Sequence, residues 1–106
     1  MAEHKPNSCH DWTAIHDFMP PQPPRLRVRG KCTFPTPGFQ VKLTKHVPPG
    51  INPTVLILDK KVTAPTGIEP QHVVTIDVEF EEQTSVHYVE VLIEPDGTKI
   101  KVQEVS

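Results

Sequence analysis

Four cations stand at every second position of the stretch RLRVRGKCTF, namely Arg25, Arg27, Arg29 and Lys31. A row of this kind is one way to hold a polyanion, because contacts to phosphate dominate such affinity. A face for single-stranded nucleic acid also needs exposed aromatic rings for base stacking. Strand parity points Phe34, Phe39 and Phe80 inward and leaves only Tyr88 and Trp12, so no nucleic-acid partner is expected. The acidic run that alternates through Asp77, Glu79 and Glu81 offers the row a different fate. If the two segments are neighbouring strands, the cations face carboxylates and hold no ligand.

Other reactive side chains are few. Cys9, His10, His16 and Asp17 cluster early in the chain, but no C-x-x-C or H-x₃-H spacing accompanies them, and no metal is expected. His4 and His10 read as solvated tail residues, and His16 as a partly buried ring on a face with Trp12 and Phe18. Cys32 lies at an inward strand position, where apolar surroundings make a thiol inert. There is no glycine-rich phosphate loop, nucleophile elbow or H-E-x-x-H helix. Ser8, Ser85 and Ser106 fall in tails or a turn, and no base oriented by a third group is recognisable. Neither catalytic residues nor a cofactor are expected, and the chain reads as a non-enzyme.

These residues must be carried by strands. Thirteen prolines in 106 residues argue against helices, since proline removes a backbone donor and breaks helix interiors. The length suits one domain with one modest core. At 36% hydrophobic and 6% aromatic, that core rests on Val, Ile and Leu. The net charge of −2 gives no global field toward DNA or acidic lipid. The opening residues have no basic-then-apolar signal pattern, and no apolar run reaches the roughly 20 residues of a membrane span. Two cysteines are too few for a disulfide scaffold. A cytoplasmic protein with free thiols is therefore the default expectation, with a single Cys9–Cys32 bridge the alternative for a processed form.

Residues 1–24 read as a polar arm, loose to about residue 11, then a first short strand and the polyproline connector MPPQPP at 19–24. PPQPPR at 20–25 has the P-x-x-P-x-R form that SH3-type grooves take, though its composition equally describes a rigid linker. Residues 25–106 form the sandwich body. Leu26, Val28, Gly30, Cys32 and Phe34 alternate with the charges, and Phe39, Val41 and Leu43 repeat the period. TVLILDKKV is an apolar run ending in charge. Val74, Ile76, Val78 and Phe80 alternate with the acids, and VHYVEVLIE and TKIKVQEV complete seven strands separated by turn signals. Asp96-Gly97 predicts a two-residue hairpin with Glu94 opposite Lys99, Ile93 opposite Ile100 and Val91 opposite Val102. The prolines at 35 and 37 favour a crossing link after the second strand over a tight turn, and a crossing loop is also favoured after the fifth.

In number and length these strands resemble immunoglobulin-like domains, although the Cys…Trp…Cys spacing of that family is missing. The resemblance implies a seven-stranded antiparallel sandwich with the second and fifth strands adjacent. A two-hairpin or meander sandwich, or a small barrel, is the alternative. FPTPGF at 34–39 resembles the Asn-Pro-Thr-Thr-Gly-Phe loop of chagasin-like cysteine-protease inhibitors, with Phe34 in place of the asparagine. The paired-glycine and Arg-Pro-Trp loops of those inhibitors have no counterpart.

The function expected is that of a non-catalytic interaction module holding a protein partner through proline-stiffened loops or a sheet edge. Its candidate contacts are Pro35, Thr36, Pro37, Gly38, Pro48 and Pro49, with Arg27 and Arg29 as charged candidates. A chagasin-like inhibitor and a polyanion binder using Arg25, Arg27, Arg29 and Lys31 are the alternatives. No membrane partner is expected, and the chain is read as a monomer or a weak edge-strand dimer.

Overall fold

The computed structural model describes residues 7–106, and these contain seven strands and no helix. They are β1 (Ser8–Asp17), β2 (Arg25–Phe34), β3 (Gln40–Lys45), β4 (Val55–Thr63), β5 (Val74–Gln83), β6 (Glu90–Glu94) and β7 (Thr98–Val105). Alternation does the work in each. In β2, Leu26, Val28, Cys32 and Phe34 are buried while Arg27, Arg29 and Lys31 are exposed. Leu43, Leu56, Leu58, Val78, Val91, Ile93, Ile100 and Val102 complete the core from the other strands, with Ala14 from β1.

The seven strands form one sheet in the order β3-β4-β6-β7-β1-β2-β5, curled until β3 and β5 approach. Lys45 of β3 and Glu82 of β5 are joined across that seam at 2.9 Å. The sheet is mixed, which corrects the antiparallel expectation, and it comes closer to the small-barrel alternative than to two separate layers. Every strand reverses the direction of the one before it, so odd-numbered strands run one way and even-numbered strands the other. Where two of like parity become neighbours, the pairing is parallel: β1 with β7, and β4 with β6. Hydrophobic alternation specifies which face a side chain takes and is silent about the direction of a distant neighbour. β7 is shared, its first half pairing with β6 and its second half with β1.

Three further expectations change. Residues 8–11 belong to β1, and 8–10 pair with β2, whereas a loose arm was expected to about residue 11; residues 1–6, with His4, lie outside the described residues. His10 meets the Thr33 hydroxyl at 3.0 Å and is no solvated tail residue. Residues 18–24 do not extend as a polyproline rod. Asp17 and Arg25 are paired, so this connector has to fold back on itself, and it turns at Pro20-Pro21, a cis bond.

In the last hairpin, Ile93 pairs with Thr98 and Val91 with Ile100, two residues from the expected register. A type I′ turn needs positive φ at both central residues. Only Gly97 has it (φ 73°), and the reversal is built from residues 94–97, with the Gly97 amide donating to the Ile93 carbonyl. A slip of two keeps parity, so Val91, Ile93, Ile100 and Val102 remain inside.

Candidate functional site

β2 and β5 are adjacent and antiparallel, with Arg27 opposite Glu81, Arg29 opposite Glu79 and Lys31 opposite Asp77. Arg25 donates to Glu81 at 2.7 Å, while Arg27 and Arg29 lie 3.6 and 3.5 Å from Glu81 and Glu79. The hydrogen bond from Arg25 holds the Glu81 carboxyl below its ordinary range, with the charges of Arg25 and Arg27 adding to it. The three arginines are thus one half of an ion-pair ladder on the outside of the sheet, and Lys31 continues the row opposite Asp77 without an ion pair among the described residues.

Strand parity divides the loops between two ends. Connections after even-numbered strands (35–39, 64–73, 95–97) gather at one end. Those after odd-numbered strands (18–24, 46–54, 84–89) gather at the other. Pro35, Thr36, Pro37 and Gly38 therefore lie at the first end and Pro48 and Pro49 at the second. Arg27 and Arg29 sit on the sheet face between them. The eight candidate residues do not converge on one site.

At the first end, Phe34 and Phe39 stack at 4.4 Å and close the 35–38 loop. A side chain on Gly38 (φ 95°) would strike Pro65 and approach Glu69. This loop is packed against residues 64–70 and is no projecting tip.

At the second end, residues 46–54 and 84–89 enclose a cavity of about 580 Å³. Tyr88 and Val86 line one side, and Val47, Pro49 and Gly50 the other. Gly50 lets the backbone close onto Ile57, whose Cδ1 would be 2.7 Å from a Cβ at that position. The Asn52 side chain accepts from the Thr54 amide and hydroxyl at 3.0 and 2.7 Å, fixing the return to β4. His46 Nδ1 meets both carboxylate oxygens of Asp59 at 3.0 Å. The hydrogen bond to Glu82 raises the Lys45 ammonium above its ordinary value, against a smaller opposing effect of burial. Val47 (83% exposed) and Ile51 (fully exposed) project from the loop, and Val86 and Val89 are exposed on the facing segment.

The same end is pinned from beneath by His16. Its ring is fully buried, and Nε2–H donates to the Thr84 carbonyl at 2.7 Å. Phe18 packs on His16 and stacks on His87 at 4.5 Å, and His87 Nδ1 meets Glu104 at 2.5 Å. His16 is therefore a partnered core residue, as its parity with Trp12 and Phe18 suggested.

Cys9 and Cys32 are joined by a disulfide, so the free thiols expected by default are absent. The two positions are directly opposed in the β1–β2 pair. Sequence reasoning could not oppose them, because the bulge around Asp11 (φ 56°) shifts the register between His10 and Thr13. In the 46–53 loop it singled out Pro48 and Pro49 and passed over Val47 and Ile51. Apolar residues inside a proline-rich loop were the available signal.

Comparison with protein-family models, curated proteins and solved structures finds no match to this chain.

Proposed function

We propose that the chain is a non-catalytic interaction module that takes a protein partner at the end built from residues 46–54 and 84–89. One observation carries this reading: Val47 and Ile51 stand exposed beside an apolar cavity of about 580 Å³. Exposed apolar groups gathered at a concavity are the usual mark of a binding surface. Gly50 and the Asn52 turn hold the loop in one shape, which lowers the entropy lost on binding. The occupant we propose is an apolar side chain on an extended peptide segment of the partner. The rival readings have less support, since Arg27 and Arg29 are met by carboxylates and the 35–38 loop is packed against residues 64–70.

Selecting linear peptides from a display library against the immobilised chain, then titrating the best binder, tests the proposal. Val47→Ser with Ile51→Ser should weaken that binder at least tenfold, while Pro35→Ala with Pro37→Ala leaves it unchanged. Equal affinity in the first variant, or a library that yields no binder, removes the assignment.

We propose a cytoplasmic location, in which the bridged pair opens and closes. A bridged cysteine pair belongs to an oxidising compartment or, in the cytosol, to a site that cycles between oxidation states.

A further inference from the structure

Lys60 continues the inward parity of the buried Leu56 and Leu58 along β4. Its side chain retains 9% exposure, and an ammonium so placed needs partners. It finds two, the Asp96 carboxylate at 2.5 Å and the Cys9 sulfur at 3.3 Å. A disulfide sulfur is a weak acceptor. A thiolate at the same place would be a full anionic partner, and a neighbouring lysine favours that form of cysteine. The ammonium is better matched to the opened pair than to the closed one.

The two sulfurs differ in access. Cys32 is fully buried among core side chains, whereas Cys9 is only partly buried. The strand pairs on either side, Ser8 with Thr33 and His10 with Lys31, also place the two cysteines opposite each other.

We propose that Cys9 and Cys32 form a redox-active dithiol–disulfide site for which a small hydroperoxide is the oxidant. Lys60 keeps Cys9 as the attacking thiolate, and Cys32 is the resolving thiol. In the first step the Cys9 sulfur bonds to the terminal peroxide oxygen and the O–O bond breaks. The departing alkoxide or hydroxide takes a proton from water, and Cys9 becomes a sulfenic acid. In the second, Cys32 gives up its proton and attacks the Cys9 sulfur, the S–S bond forms, and hydroxide leaves as water. Two electrons pass from the two sulfurs to the peroxide, which ends as one alcohol and one water, or as two waters when it is hydrogen peroxide. A dithiol reductant reopens the bridge and closes its own.

The competing account is that Lys60 only ties the 95–97 turn to β4 through Asp96. Alkylation of a Cys32→Ala chain, in which Cys9 is the sole thiol, separates the two. Its iodoacetamide rate at pH 7 should fall about tenfold when Lys60→Met is added and recover with Lys60→Arg. A structural tie alone would leave the rate–pH profile unmoved, and that result overturns the proposal. If Cys32→Ala does not fold, phosphine-reduced wild type and Lys60→Met are compared by peptide mass mapping. Faster labelling of Cys32 than of Cys9, or no change with Lys60→Met, is then the overturning outcome. Equimolar hydrogen peroxide should also close the reduced wild-type pair, with loss of two hydrogens in the intact mass, and failure to close it counts equally against the site.

Discussion

The indole of Trp12 occupies the space in which residue 30 would carry a side chain, so that a Cβ on Gly30 would stand 2.6 Å from its Cδ2. This contact explains a glycine in the middle of a ten-residue strand, where glycine is otherwise unfavourable. It also marks where β1 regains its inward parity, since Trp12 follows the residue with positive φ, Asp11.

Gly30→Ala should therefore destabilise the fold by about 1–3 kcal/mol, the usual range for overpacking a filled core. Gly67→Ala is the control, because nothing lies within 4 Å of a Cβ there. Urea unfolding of both variants checks the pair. Equal midpoints would show that the indole moves aside freely.

The two perturbed groups set opposite limits on the pH range of full stability. Glu81 is depressed below its ordinary value of 4.5 in the folded chain. Its contribution is complete above that value and is lost as the pH falls through the folded value. Lys45 is raised above 10.5 when folded. Its contribution is complete below 10.5 and is lost as the pH rises through the folded value. Thermal melts of wild type and Glu81→Gln should differ at neutral pH and converge only as the pH falls through the depressed folded value, below 4.5. Melts of wild type and Lys45→Met should converge only at strongly alkaline pH. High salt should shrink both differences, since the pairs are at the surface.

The carboxylates on β5 face the arginine row and pair with it, so the row is expected not to act as an anion site. Wild-type chain should pass through a heparin column in about 0.15 M salt, the ionic strength at which exposed charges are screened beyond about 8 Å. A chain carrying Asp77→Asn, Glu79→Gln and Glu81→Gln should be retained there and released by added salt. Retention of the wild type would mean that the cations remain available despite the ladder.

Much of this architecture can be read from residue order. Period-two alternation assigned Leu26, Val28, Cys32 and Phe34 to the interior and Arg27, Arg29 and Lys31 to the outside, as observed. The immunoglobulin-like resemblance implied β2 beside β5, which puts the cations of one segment against the carboxylates of the other, and the structure sets Arg27 opposite Glu81. Prolines after Phe34 pointed to a crossing link, and β2 and β3 are indeed not neighbours. The binding candidates were less legible. Pro35 and Pro48 carry the same loop signal but lie at opposite ends, because the end a loop occupies depends on strand direction as well as composition.

The sequence alone determined an all-β chain, the inward and outward sets of each strand, and the opposite signs carried by the outer faces of β2 and β5. These follow from local periodicity and charge. Tertiary structure decided the parallel contacts of β1 with β7 and β4 with β6, the two-residue shift of the last hairpin, and the joining of Cys9 to Cys32. It alone brought Lys60 onto the Cys9 sulfur across 51 positions of chain. Such meetings depend on how the sheet curls and closes, a property of all seven strands together that no single stretch of residues encodes.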